Sequence, residues 1–143
     1  MSEIIKSKDR VKKYGEVYTP QWIVEKMCDD LEEENPDAFL PEKTFLEPTC
    51  GEGVFILEIL RRKFSNCRKR ADYTLAISTV YGMDILPDNV ETTIQNVTSL
   101  CNQTFHPTKA DLQTIQDHII QADSLKIMKM MTDPKINQDI LER

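Results

Sequence analysis

Three acidic residues stand where short apolar runs stop. Glu47 follows Thr44-Phe45-Leu46, Asp84 follows Thr79-Val80-Tyr81-Gly82-Met83, and Asp123 follows Ile119-Ile120-Gln121-Ala122. They lie 37 residues (84 − 47) and 39 residues (123 − 84) apart, comfortable lengths for strand–crossover–strand units. In open parallel sheets, ligands bind beyond the carboxyl ends of the strands. Three carboxylates there suit a ligand rich in hydroxyl and amine donors, and a carboxylate that accepts from ribose hydroxyls is a recurring nucleoside device. A polyphosphate would be repelled unless a metal intervened. Between the first two acids lies Cys50-Gly51-Glu52-Gly53, a turn that permits positive φ and close backbone approach. It lacks the Lys-Ser/Thr of a phosphate-binding loop and the third glycine of the dinucleotide fingerprint. Taken alone, a Gly-x-Gly is equally a structural tight turn.

Other chemistry is scarce. Cys28, Cys50, Cys67 and Cys101 form no Cys-x-x-Cys pair, so no zinc site is expected. They read as buried or half-buried thiols. His106 and His118 have no triad partner nearby in sequence and read as surface or structural residues. No catalytic residue and no metal ligand is assigned.

The elements that must position the acids follow from pattern. Thr19 can cap a helix with Pro20 at its first position. Ile23, Val24, Met27, Cys28 and Leu31 share one helical face, and Asn35-Pro36 stops it. Thr44–Glu47 reads as a strand, Val54 to about Phe64 as a helix, Ala71–Ser78 as a helix, and Thr79–Asp84 as a second strand. Pro87 opens a helix with Val90, Ile94, Val97 and Cys101 on one face. A polar connection leads to a third short strand at Ile119-Ile120, and a short helix follows from Ser124. The cluster Arg61, Arg62, Lys63, Arg68, Lys69 and Arg70 sits where cations complement a helix dipole. Alternating strands and helices predict an α/β, Rossmann-like domain of about three parallel strands with helices on both faces.

These pieces, in order, resemble a known family. Gly15-Glu16-Val17-Tyr18-Thr19-Pro20, Phe45-Leu46-Glu47-Pro48-Thr49-Cys50-Gly51-Glu52-Gly53-Val54-Phe55, Tyr81-Gly82-Met83-Asp84-Ile85 and Ile119-Ile120-Gln121-Ala122-Asp123-Ser124-Leu125 look like the N-terminal, cofactor-binding half of an adenine-N6 DNA methyltransferase. The type is that of restriction–modification systems whose cofactor motifs precede the catalytic one. The resemblance covers residues 14–126. It implies a truncated S-adenosylmethionine-dependent methyltransferase fold. Tyr18, Thr19 and Pro20 would then cover the methionine part of the cofactor. Glu47, Pro48 and the backbone of Cys50, Gly51 and Gly53 would receive its amino-acid end. Asp84 would accept from the ribose hydroxyls beside Ile85, and Asp123 from the adenine amine beside Leu125. Glu47 stands where the family commonly has Asp.

The family's catalytic motif, Asp or Asn followed by Pro-Pro and an aromatic residue, does not occur in the sequence. Asp133-Pro134-Lys135-Ile136 is a partial echo without the second proline or the aromatic. The resemblance therefore implies an S-adenosylmethionine-binding protein that needs a partner for catalysis and reaches DNA through that partner. The alternative is a cofactor-sensing or scaffold module of a restriction or mobile-element system.

Length and charge agree with that division. The chain has 143 residues, 18 Lys+Arg against 24 Asp+Glu, and a formal net charge of −6. That is one domain's worth of chain. The acidic balance argues against autonomous DNA binding, which needs clustered Lys and Arg. Residues 1–13, with Lys6, Lys8, Arg10, Lys12 and Lys13, read as a basic flexible arm, 14–126 as the cofactor-binding domain, and 127–143 as a tail with helical capacity. The N-terminus lacks a signal-peptide core, and no apolar run approaches the ~20 residues of a membrane span. A cytoplasmic chain without a membrane partner is expected. An exposed sheet edge would favour a homo-oligomer or a partner subunit.

Overall fold

The computed structural model describes residues 18–132. Helix α1 (Gln21–Glu34) leads to strand β1 (Phe45–Glu47), α2 (Val54–Ser65), α3 (Arg70–Ser78) and β2 (Val80–Asp84). Then come α4 (Pro87–Thr104), α5 (Lys109–His118), β3 (Ile119–Gln121) and α6 (Ser124–Thr132). The basic arm and Asp133-Pro134-Lys135-Ile136 lie outside the described residues.

The three strands form one parallel sheet in the order β1-β2-β3. Phe45 pairs with Val80 and Glu47 with Gly82, while Gly82 also pairs with Ile119 and Asp84 with Gln121. Strand side chains alternate between faces. Phe45, Val80, Gly82 and Ile119 share the face that meets the helices, where Val80 and Ile119 are buried with Ile56, Leu60, Val97 and Ile115. Leu46, Tyr81 and Ile120 share the other face and are 58%, 39% and 43% exposed. The expected second helical layer is thus absent from that face among the described residues. The reason is topological. With the order β1-β2-β3, every crossover advances in the same direction, so right-handed connections place all their helices on one side.

Two further expectations shift. Pro20, not Thr19, is the N-cap of α1; its carbonyl accepts from the N–H groups of Ile23 and Val24. The stretch read as a polar connection before β3 contains α5. Its start is a capping box: the Thr108 hydroxyl accepts from the Asp111 N–H, and the Asp111 carboxylate accepts from the Thr108 N–H, the pattern that satisfies orphan helix donors reciprocally.

Four of the six residues of the basic cluster find partners inside the fold. Arg62 donates to Glu58 at 2.8 Å and to Asp29 at 2.7 Å, joining α2 to α1, and Arg61 lies 3.6 Å from Glu58. Arg70 pairs with the buried Asp111, which also accepts from Thr74 at 2.8 Å, joining α3 to α5. Lys63 is fully buried. Its ammonium donates to the carbonyls of Pro41 and Lys43 and to the Thr79 hydroxyl. Burial pulls its pKa down from 10.5 to about 8. Arg61, Arg62, Lys63 and Arg70 therefore do more than complement a helix dipole.

Candidate functional site at the carboxyl ends of the strands

The site is built around the turn between β1 and α2. Cys50 donates its backbone N–H to the Met83 carbonyl at 2.8 Å, which docks the turn on the end of β2. Gly51 and Gly53 both take positive φ, 55° and 94°. Gly53 is the left-handed N-cap of α2, and a Cβ there would lie 2.9 Å from Thr93 Cγ2. The turn needs glycine at 53 for both conformation and space. At Gly82, inside β2, a Cβ would lie 2.5 Å from Ile56 Cδ1, so the buried Ile56 side chain would have to shift.

Asp84 is the hub. Its Oδ2 accepts from the Gly51 N–H at 2.9 Å, and its Oδ1 accepts from the Leu86 N–H at 2.9 Å and from Asn89 Nδ2 at 3.3 Å. A carboxylate offers about four lone-pair sites, so one acceptor position, on Oδ2, remains after these three bonds. Glu47 bends back on its own loop: its Oε1 accepts from the Thr49 N–H at 3.1 Å and from the Thr49 hydroxyl at 3.3 Å. Burial raises the Glu47 pKa, and the Thr49 bonds oppose that rise. Glu47 and Asp84 both act on the Cys50 thiol, but burial is the main cause that pushes it from 9.0 to about 11. Cys50 is a neutral thiol at pH 7, not a poised nucleophile. Burial likewise raises Cys28, Cys67 and Cys101.

Asp123 is joined to this edge through backbone. The Ala122 N–H donates to the Asp84 carbonyl at 3.0 Å, and Gln121 Nε2 donates to the Ile85 carbonyl at 3.2 Å. The side chain of Asp123 caps α6, accepting from the Lys126 N–H at 3.2 Å. Ile85 and Leu125 are exposed beside these carboxylates. Tyr18 reaches the turn from the other side: its hydroxyl donates to Glu52 at 2.7 Å.

The structure thus gathers Tyr18, Cys50, Gly51, Gly53 and Asp84 around one turn and aligns Glu47 and Asp123 on the same sheet edge. Pro48 follows Glu47 half-buried, while Thr19 and Pro20 serve the entry to α1. Residues that sequence reading passed over hold the turn from α4. Thr93 donates to the Gly51 carbonyl at 2.8 Å, and Asn96 donates to the Glu52 carbonyl at 3.0 Å. The expected face of Val90, Ile94, Val97 and Cys101 is shifted in the structure. Asn89, Thr93, Val97 and Cys101 recur every fourth residue and form the buried stripe of α4, so two polar residues on that stripe required partners.

In chemical terms the edge offers carboxylate acceptors, exposed apolar walls and a glycine turn that lets backbone approach closely. It holds no ionised thiol and no group of three metal-ligating side chains among the described residues. A groove between α4 and α5, lined by Gln95, Thr98, Ser99, Asn102, Gln103 and Gln116, carries no titratable side chain, so it is the weaker candidate. None of the described helices is long and apolar enough to cross a membrane. The chain matches no protein-family model, no curated protein and no solved structure.

Proposed function

We propose that this chain is an S-adenosylmethionine-binding, adenine-specific DNA methyltransferase-like domain whose catalysis is completed by another polypeptide. The observation that carries this reading is the Asp84 carboxylate at the end of the central strand, in hydrogen-bond contact with the glycine turn. The residues fit the cofactor as acceptors and walls: Asp84 to accept from ribose hydroxyls, Asp123 to accept from the adenine amine, Ile85 and Leu125 as apolar walls, and Glu47 with the turn for the amino-acid end. When bound, the cofactor supplies an electrophilic methyl group. The chain's residues bind and orient it, chiefly by positioning and electrostatics. Because one Oδ2 site remains, the ribose would share Asp84 with the Gly51 N–H. The second reading is a cofactor-sensing or scaffold role for the same site.

Isothermal titration of S-adenosylmethionine and its demethylated product into the full chain tests the site. Binding is expected, and Asp84→Ala should weaken it by about 1.5–3 kcal/mol, the worth of a hydrogen bond to a charged group. Absence of heat at millimolar ligand defeats the cofactor assignment, and unchanged affinity in Asp84→Ala moves the ribose elsewhere.

A further inference from the structure

Two exposed apolar surfaces are joined through β3. The bare sheet face carries Leu46, Tyr81 and Ile120 in adjacent strands, with Tyr81 stacked on His118 at 4.2 Å. Helix α6 starts three residues after β3 ends, across Ala122-Asp123, and exposes Leu125, Met128 and Met130. On a helical wheel, Leu125, Ile127, Met128, Met130 and Met131 occupy one broad side, and Lys126 and Lys129 the opposite side. Parallel sheets occur almost only with both faces covered, so a bare apolar face on this sheet calls for a second layer.

We infer that α6 is a strap that closes over the bare face, laying its Leu125–Met131 side on Leu46, Tyr81 and Ile120. Size agrees: nine residues of helix span ~13 Å, and three strands are ~10 Å wide. Charge agrees as well, because the closed strap would turn Lys126 and Lys129 to solvent. A second copy is a poorer occupant. Three short strands offer on the order of 200 Å², well below the ~800 Å² per partner of a stable interface. Closure has a functional edge: Asp123 caps α6 and Leu125 rides on it, so the strap's position sets both residues relative to Asp84.

This inference does not depend on the cofactor reading, and its test needs no ligand. The full chain would be labelled at its methionine methyl groups, six in all, and assigned by single Met→Leu variants. Nuclear Overhauser contacts are expected between the Met128, Met130 or Met131 methyls and the Tyr81 ring. Ring-current shifts of those methyls should vanish in Tyr81→Leu. Solvent-like shifts for all three methyls, with no contact to Tyr81, Leu46 or Ile120 in the wild-type chain, would overturn the proposal. Failure here with intact S-adenosylmethionine binding removes the strap alone, and closure without binding removes the cofactor site alone.

Discussion

Gly51 and Gly53 are chemically identical and unequal in consequence. Both have positive φ, but a Cβ on Gly51 meets nothing within 4 Å, whereas on Gly53 it meets Thr93 at 2.9 Å. Gly51→Ala should cost about 1–2 kcal/mol, the penalty of left-handed backbone. Gly53→Ala should cost measurably more, because overpacking adds about 1–3 kcal/mol and pushes Thr93 off the Gly51 carbonyl. Urea unfolding of the two variants checks the order, and equal losses would mean that Thr93 yields freely. Among the candidate site residues, the acids at strand ends and the glycines were legible from type and spacing. The partners Asn89 and Thr93 were not, because a polar side chain on a buried stripe declares its burial but not its target, and Asn96 stands off that stripe.

Helices and strands were legible where apolar period and punctuation agreed, as at Pro87 for α4 and Gly53 for α2. Helix α5 was missed because its apolar content is thin: its stabilising contacts are a capping box and an ion pair rather than a wide apolar face. That origin makes it sensitive to acid. Burial alone would raise the Asp111 pKa, but bonds from Thr108, Arg70 and Thr74 hold it below 3.8. The unfolded carboxylate binds protons at higher pH than the folded one. The stabilisation is therefore complete above the unfolded pKa and is lost as pH falls through the folded value. Arg70→Met should destabilise the chain by about 1–3 kcal/mol near neutrality, scaled down because Arg70 is half exposed. It should also flatten the acid limb of the stability curve. Chemical unfolding between pH 7 and pH 3 tests both, and an unchanged acid limb would place the acid-sensitive group elsewhere.

At the level of the whole molecule, net charge and cation placement point the same way. The chain is acidic overall. Of the six clustered cations, Arg61, Arg62, Lys63 and Arg70 have partners inside the fold, leaving little of that cluster to release counterions from DNA. Fluorescence anisotropy with a duplex at about 150 mM salt, in the range where non-specific affinity is typically weak, should show no binding below about 100 μM. Tight, salt-resistant binding would contradict this. The α/β class and parallel strands were legible from alternation alone. The one-sided layering was not, because apolar runs are equally apolar whichever side the crossovers take. With helices expected on both faces, Leu46, Tyr81 and Ile120 would be covered; they stand exposed in the fold for that topological reason. Lys63 carries a last consequence, for the order of assembly. One nitrogen, in the last turn of α2, binds carbonyls just before β1 and the hydroxyl just before β2. The register of the first strand pair is thus indexed from outside the sheet. Substitutions that unravel the last turn of α2 should slow folding rather than hasten unfolding, the signature of a nucleus.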